Sequence, residues 1–262
     1  MKANANGISI NYQIEGKDGA PWVTLAHSLG ANLTMWDDQV AALEDDYRIL
    51  RMDTRGHGAT EATGGAYDFN LLGADITSLW DVLEIGHSHL VGLSLGGMTA
   101  MGMALRLSGR LDSITVCSAR ADAPVAMCKL WDERIAQIEA EGMAPMVEGT
   151  LMRWFTPDFV ASGSTVLDQV REMIRTTKPA GYIGCARAIQ GLDFLPRLGE
   201  ITVPTLFIAG AGDGAAPAEG MQVMHAAVKG SQYVELSPAS HISNLEQPQA
   251  YNDAVMGFLA SI

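Results

Sequence analysis

The stretch Val91-Gly92-Leu93-Ser94-Leu95-Gly96-Gly97 constrains this chain more than any other, because it is a Gly-x-Ser-x-Gly set between a strand and a helix. Before it, His89 to Leu93 reads as a short buried strand. After it, Met98, Ala100, Met101, Met103, Ala104, Leu105 and Leu107 run on as an apolar helix. A serine on so tight a strand-to-helix turn must take a strained backbone, and the flanking glycines make room for it. The turn lifts the hydroxyl clear of the sheet and sets it at a helix N-terminus, where free N–H groups favour developing negative charge. A serine that merely happened to lie in a glycine-rich turn would not need a strand on one side and a helix on the other.

Apolar, β-branched runs recur at Ile8 to Ile14, Trp22 to Ala26, Arg48 to Asp53, Ile114 to Ser118, Thr205 to Ala209 and Gln232 to Leu236. Helical patterns lie between them, clearest at Leu71 to Ile85, Gly96 to Leu107, Ala218 to Val228 and Gln249 to Leu259. Strands alternating with helices predict a mostly parallel sheet covered on both faces. Ile8-Ser9-Ile10-Asn11-Tyr12-Gln13-Ile14 instead alternates apolar and polar residues, as an antiparallel edge strand does. From residue 121 to residue 196 no clear strand is visible, and Trp131, Ile135 and Ile138 fall on one helical face. The expected organisation is a core of residues 1–120 and 197–262, with 121–196 a helical cap over the carboxyl ends of the strands, where α/β proteins bind ligands.

With 262 residues, 48% of them hydrophobic, the chain can bury one large core plus a small insertion. The formal charge of −13 repels phosphodiester backbones and anionic bilayers, so neither nucleic acid nor membrane is an expected partner. The first residues, Met1 to Asn6, carry no apolar signal block, and cytoplasmic residence is the default reading. Cys117, Cys128 and Cys185 show no metal spacing and read as reduced thiols in or near the core. No metal or cofactor is called for. A homo-oligomer stays open.

A serine hydroxyl needs a general base, usually a histidine oriented by a carboxylate, and on this kind of fold they follow in the order serine, acid, histidine. His241 follows the strand ending at Leu236, and Asp213 is the first acid after the strand Thr205 to Ala209. Ser94, Asp213 and His241 therefore fall in the required order on three strand-end loops. Glu235 lies inside a strand and is the weaker acid, while His87, His89 and His225 read as helix-end or surface residues. His57 reads as structural, and His27 as a brace for its loop. A tetrahedral oxyanion needs two fixed donors: the N–H of Leu95, directly after the serine, and that of Leu29 in the loop His27-Ser28-Leu29-Gly30.

These residues resemble the α/β-hydrolase family across essentially the whole chain, and within it the 3-oxoadipate enol-lactonases of aromatic degradation. The matching stretches are His27 to Gly30 with Met35-Trp36, Asp53-Thr54-Arg55-Gly56-His57-Gly58, Gly92 to Met98, Arg153-Trp154-Phe155-Thr156-Pro157, Gly181-Tyr182, and His241 to Pro248. Thr60, where many relatives carry serine, and Gln190 to Phe194 depart from the pattern. The resemblance implies a five-membered enol-lactone bearing a carboxymethyl group, opened by Ser94 to an acyl-enzyme that water then hydrolyses. The substrate carboxylate wants a local cation, and an arginine suits its planar shape. Candidates are Arg120, Arg134, Arg153 and Arg187, with Trp131 and Trp154 as further pocket residues. A general carboxylesterase, a carbon–carbon bond hydrolase, a perhydrolase and a ligand-binding protein without turnover remain alternatives on the same residues.

Overall fold

A computed structural model describes all residues, Met1–Ile262. Eight strands, β1 (Lys2–Ala5), β2 (Ile8–Gly16), β3 (Trp22–Ala26), β4 (Arg48–Met52), β5 (Ser88–Leu93), β6 (Leu111–Cys117), β7 (Thr205–Gly210) and β8 (Gln232–Leu236), form one sheet. Its order is β1-β2-β4-β3-β5-β6-β7-β8, antiparallel at β1, β2 and β4 and parallel from there on. The helices α1 (Asp37–Leu43), α2 (Phe69–Val82), α3 (Leu95–Ala104), α9 (Ala218–Ala227), α10 (Ser243–Glu246) and α11 (Pro248–Leu259) belong to this layer. The others are α4 (Val125–Glu141), α5 (Met146–Trp154), α6 (Pro157–Ala161), α7 (Thr165–Thr176) and α8 (Pro179–Gln190), and all five fall between β6 and β7. The whole is an α/β-hydrolase fold.

β2 is antiparallel, with Ile8, Ile10 and Tyr12 alternately buried, but it is not the edge. The short strand β1 covers it through an Asn6-Gly7 turn with φ of 47° and 76°. That is the hairpin chemistry Asn-Gly favours; Lys-Ala-Asn-Ala is too short and too polar to announce a strand by itself. His89 corrects a second expectation. It lies in β5, the strand expected from His89 onward, and is partly buried there, not a helix-end or surface residue, with Nδ1 2.9 Å from the Ser113 hydroxyl.

Every residue of α3 is buried, as befits a helix apolar on all sides. It packs against β5, β6 and α2. At its start the chain passes so close to β3 that a Cβ on Gly96 would sit 2.0 Å from the Ala26 carbonyl oxygen. That contact forbids any side chain there. The two ends of the α4–α8 insertion are tied together, Phe194 N–H donating to the Ala121 carbonyl at 2.7 Å. The start of α8 is seated on the core, because a Cβ on Gly56 would meet Gly181 Cα at 2.2 Å. Lys178 adds hydrogen bonds from Nζ to the Gly58 and Thr60 carbonyls.

Candidate active site

Ser94 stands between β5 and α3 with φ 55° and ψ −112°, a backbone that L-residues rarely adopt. Its N–H donates to the Cys117 carbonyl at 2.8 Å, tying the turn to β6, and its carbonyl caps α3 through Met98 N–H. Leu95 is the first residue of α3, so its N–H has no intrahelical acceptor.

Across the sheet, Asp213 follows β7 and His241 follows β8. Asp213 Oδ2 lies 2.8 Å from His241 Nδ1, and Oδ1 accepts from the N–H groups of Ala215 and Ala216 at 2.8 and 2.9 Å. Burial pushes the Asp213 carboxyl up, but the imidazole and the two amides outweigh it and hold it below the usual aspartate value. With Nδ1 committed to the carboxylate, Nε2 is the imidazole atom left for chemistry. The His241 loop is braced from the far side by Glu246. Its Oε2 accepts from Ser240 N–H at 2.7 Å, and its Oε1 from the N–H and hydroxyl of Thr156 on the inserted segment. Ile242 N–H donates to the Trp154 carbonyl, and the Trp154 ring lies 6.4 Å from that of His241. No hydrogen bond joins the Ser94 hydroxyl to His241 in this resting geometry; such bonds commonly tighten only with substrate.

The loop after β3 is held by His27. Its Nε2 accepts from Thr54 N–H at 2.8 Å, which leaves the ring proton on Nδ1, 2.7 Å from the Ser28 carbonyl. In a trans peptide the N–H points away from its own C=O, so pinning the Ser28 carbonyl aims Leu29 N–H the opposite way. That N–H has no partner within the protein, and Leu29 lines the cavity that Ser94 and His241 also line.

His57 packs against His27, ring centroids 5.3 Å apart, with its Nε2 buried and unpartnered. Burial, the neighbouring imidazole and Lys178 push it down to about 3. His27 is shifted the same way, chiefly by burial. The unfolded chain takes these protons near pH ~6.5 while the folded protein refuses them, so stability falls as pH drops from that value toward 3. For His57 alone the loss should reach about 2 kcal/mol by pH 5. Urea midpoints at pH 7 and 5 measure it, and His57→Gln should remove the His57 share of the difference and leave that of His27.

The cavity that Ser94, Leu29 and His241 line has a volume of about 770 Å³. One wall comes from the strand-end loops and the other from α4, α5 and α8. Of the arginines anticipated from sequence, Arg120, Arg134 and Arg153 line it. Arg187 does not: it pairs with Asp132 and the Gln190 side-chain oxygen on the outer surface. Arg120 lies 3.3 Å from Asp122, leaving its Nε buried without a partner. Arg134 packs over Trp131 with its guanidinium 4.8 Å from the ring centroid, and Arg153 donates to the Thr150 hydroxyl at 2.8 Å. No carboxylate pairs with either. Burial, then the like charge of Arg134, holds Arg153 below its ordinary value, so this pair is a standing positive pole in an acidic protein. Trp131 and Trp154 both line the cavity.

Tyr182 escaped the sequence reading as a site residue, although it lies in one of the matching stretches. Its ring lies 3.5 Å from where a Cβ on Gly30 would be, and its centroid is 6.4 Å from that of Trp131. It is 5% exposed, and burial pushes its phenol up against the opposing pull of Arg134 and Arg153. Ser28 and Ser118 were missed as well. Both line the cavity and both carry buried hydroxyls with no protein partner. Nothing in local periodicity marks such residues, since only the folded loops bring them to one wall.

Comparison with known proteins agrees with this architecture. The family model for the alpha/beta hydrolase fold matches residues 21–248. The 3-oxoadipate enol-lactonase 2 of Acinetobacter baylyi is 34% identical over 251 residues, covering 96% of this chain and 93% of its own. The crystal structure of the enol-lactonase from Burkholderia xenovorans LB400 superposes with a TM-score of 0.95 at 38% identity, covering 99% of this chain and 100% of that one. A thermophilic esterase from Thermogutta terrifontis, solved with malate bound, gives 0.93 at 26% identity over 100% of this chain and 98% of its own. No helix is long and apolar enough to cross a membrane. The chain belongs to the α/β-hydrolase family.

Proposed function

We propose that this protein opens a small carboxylated lactone, an enol-lactone of the 3-oxoadipate type, through an acyl-enzyme on Ser94. The observation that carries the reading is the Asp213–His241 pair at 2.8 Å opening onto the same cavity as a serine held at positive φ at the head of a helix. Similarity to enol-lactonases over nearly the full chain supports the substrate class.

His241 Nε2 takes the Ser94 proton as Oγ attacks the lactone carbonyl, and Asp213 stabilises the imidazolium that results. Leu29 and Leu95 N–H groups receive the developing oxyanion. As the ring C–O bond breaks, the proton passes to the leaving enol oxygen, and the enol relaxes to a ketone. Water then gives its proton to His241 and adds to the acyl-enzyme, releasing a dicarboxylate and restoring Ser94. Residues 121–196 act as a cap that completes the cavity and supplies Arg134 and Arg153 for the substrate carboxylate, with Trp131 and Trp154 as walls. Arg120 stands at the same cavity as a third cation.

Two measurements test this. A serine-directed fluorophosphonate should label Ser94, and kcat/KM for the enol-lactone should exceed that for a neutral p-nitrophenyl ester of similar size. Equal rates would remove the carboxylated-lactone assignment, and absence of an adduct would remove the nucleophile. Hydrogen bonds to charged groups contribute about 1.5–3 kcal/mol. Arg153→Gln and Arg134→Gln should therefore each lower kcat/KM for the anionic lactone by about 10- to 100-fold, mainly through KM. The neutral ester should be much less affected.

A further inference from the structure

One helix carries a polarity gradient along the cavity that a small lactone acid does not use. On α4, Met127, Trp131 and Arg134 fall at i, i+4 and i+7, and all three line the cavity. At 1.5 Å rise per residue, Met127 and Arg134 stand about 10 Å apart along the axis. Trp131, between them, is the residue packed on Tyr182, whose ring in turn abuts the Gly30 turn of the loop that presents Leu29. Trp131 and Tyr182 thus connect the middle of the stripe to that loop, with Arg134 one turn to one side along α4 and Met127 one turn to the other.

The cavity also carries exposed apolar side chains. Leu130 lines the cavity at 52% exposure, and Met152 of α5 does so at 61%. Pro124, Ala126 and Met127 line the cavity as well. Large aliphatic side chains left this exposed at a cavity mouth gain free energy when a ligand covers them. The cavity's 770 Å³ lies in the range that accepts drug-sized ligands, about 300–1,000 Å³.

We infer that the wall formed by Met127, Leu130 and Met152 is an apolar subsite, and that the protein also hydrolyses monoanionic esters and lactones bearing an alkyl or aryl acyl group opposite their carboxylate. This rests on Ser94 being the reacting centre. In an O-acylglycolate the carboxylate sits on the leaving side, as in the carboxymethyl lactone, and the acyl chain extends the other way. Attack by Ser94 breaks the acyl C–O bond and releases glycolate; water then releases the fatty acid.

The test uses O-acylglycolates from acetyl to hexanoyl. Their affinity for the Ser94→Ala protein, read by calorimetry, should rise up to about fourfold per added methylene, and kcat/KM of the wild-type protein should rise in parallel. Leu130→Ser combined with Met152→Ser should flatten both series; both residues are exposed, so the fold survives the change. Affinity that does not rise with chain length, or a rise that persists in the double variant, overturns the subsite. A rising affinity series without turnover and without fluorophosphonate labelling keeps the subsite and overturns the serine-hydrolase reading instead.

Discussion

Ser94→Ala is expected to leave the fold intact and lower turnover by about 10⁶, the scale on which loss of an activated serine acts. Alanine carries the same Cβ as serine, so the positive φ of 55° is no more strained after the change than before it. The hydroxyl makes no hydrogen bond on which the turn depends; the bonds that hold it run from Ser94 N–H to Cys117 and from Met98 N–H to the Ser94 carbonyl. The far-ultraviolet spectrum and urea midpoint should match the wild type, and so should affinity for the dicarboxylate product. Substantial remaining turnover would mean that the bond is broken by some other group.

Asp213→Asn should cost about 10⁴ in kcat with little loss of stability. The reason lies in how the two carboxylate oxygens are used. Oδ1 accepts from Ala215 and Ala216 N–H and holds the loop, while Oδ2 faces His241 Nδ1. An asparagine that keeps its oxygen on the two amides must turn its NH₂ toward the imidazole. Nδ1 then becomes an acceptor, the ring proton moves to Nε2, and the imidazole can no longer take a proton from Ser94. A variant that lost activity only in proportion to lost folded protein would show that Asp213 merely caps its loop. Steady-state kinetics beside urea unfolding separates the two.

Some of this was legible before folding and some was not. The strand–turn–helix around Ser94 is local: residues in contact there are neighbours in sequence, and the glycine at 96 reports a close approach that the pattern already implies. Asp213 and His241 were legible because one is the first acid after a strand and the other the histidine in the loop after the next, and strand periodicity is a local signal. β1 was invisible, since four residues with one buried side chain carry no periodicity, and only pairing with β2 defines them. His89 read as a surface residue although it opened the expected strand, because only the pairing of that strand with β6 puts its ring beside Ser113. Arg187 and Arg153 look alike in sequence, yet one faces Asp132 on the outside and the other the cavity. A helix face decides that, and the face depends on what the helix packs against.

From sequence alone came the class of fold, the order of the strands from β2 to β8 with the longer helices of the core, and the three residues that the proposed chemistry needs. Each is written in short-range patterns of apolar spacing and turn chemistry. The tertiary structure decided which arginines meet, that His27 aims the Leu29 amide, that Glu246 bridges the His241 loop to the inserted helices, and that Tyr182 stands against the Gly30 turn. Those are contacts between segments tens of residues apart or more. Their geometry comes from packing one layer on another, which no local pattern encodes.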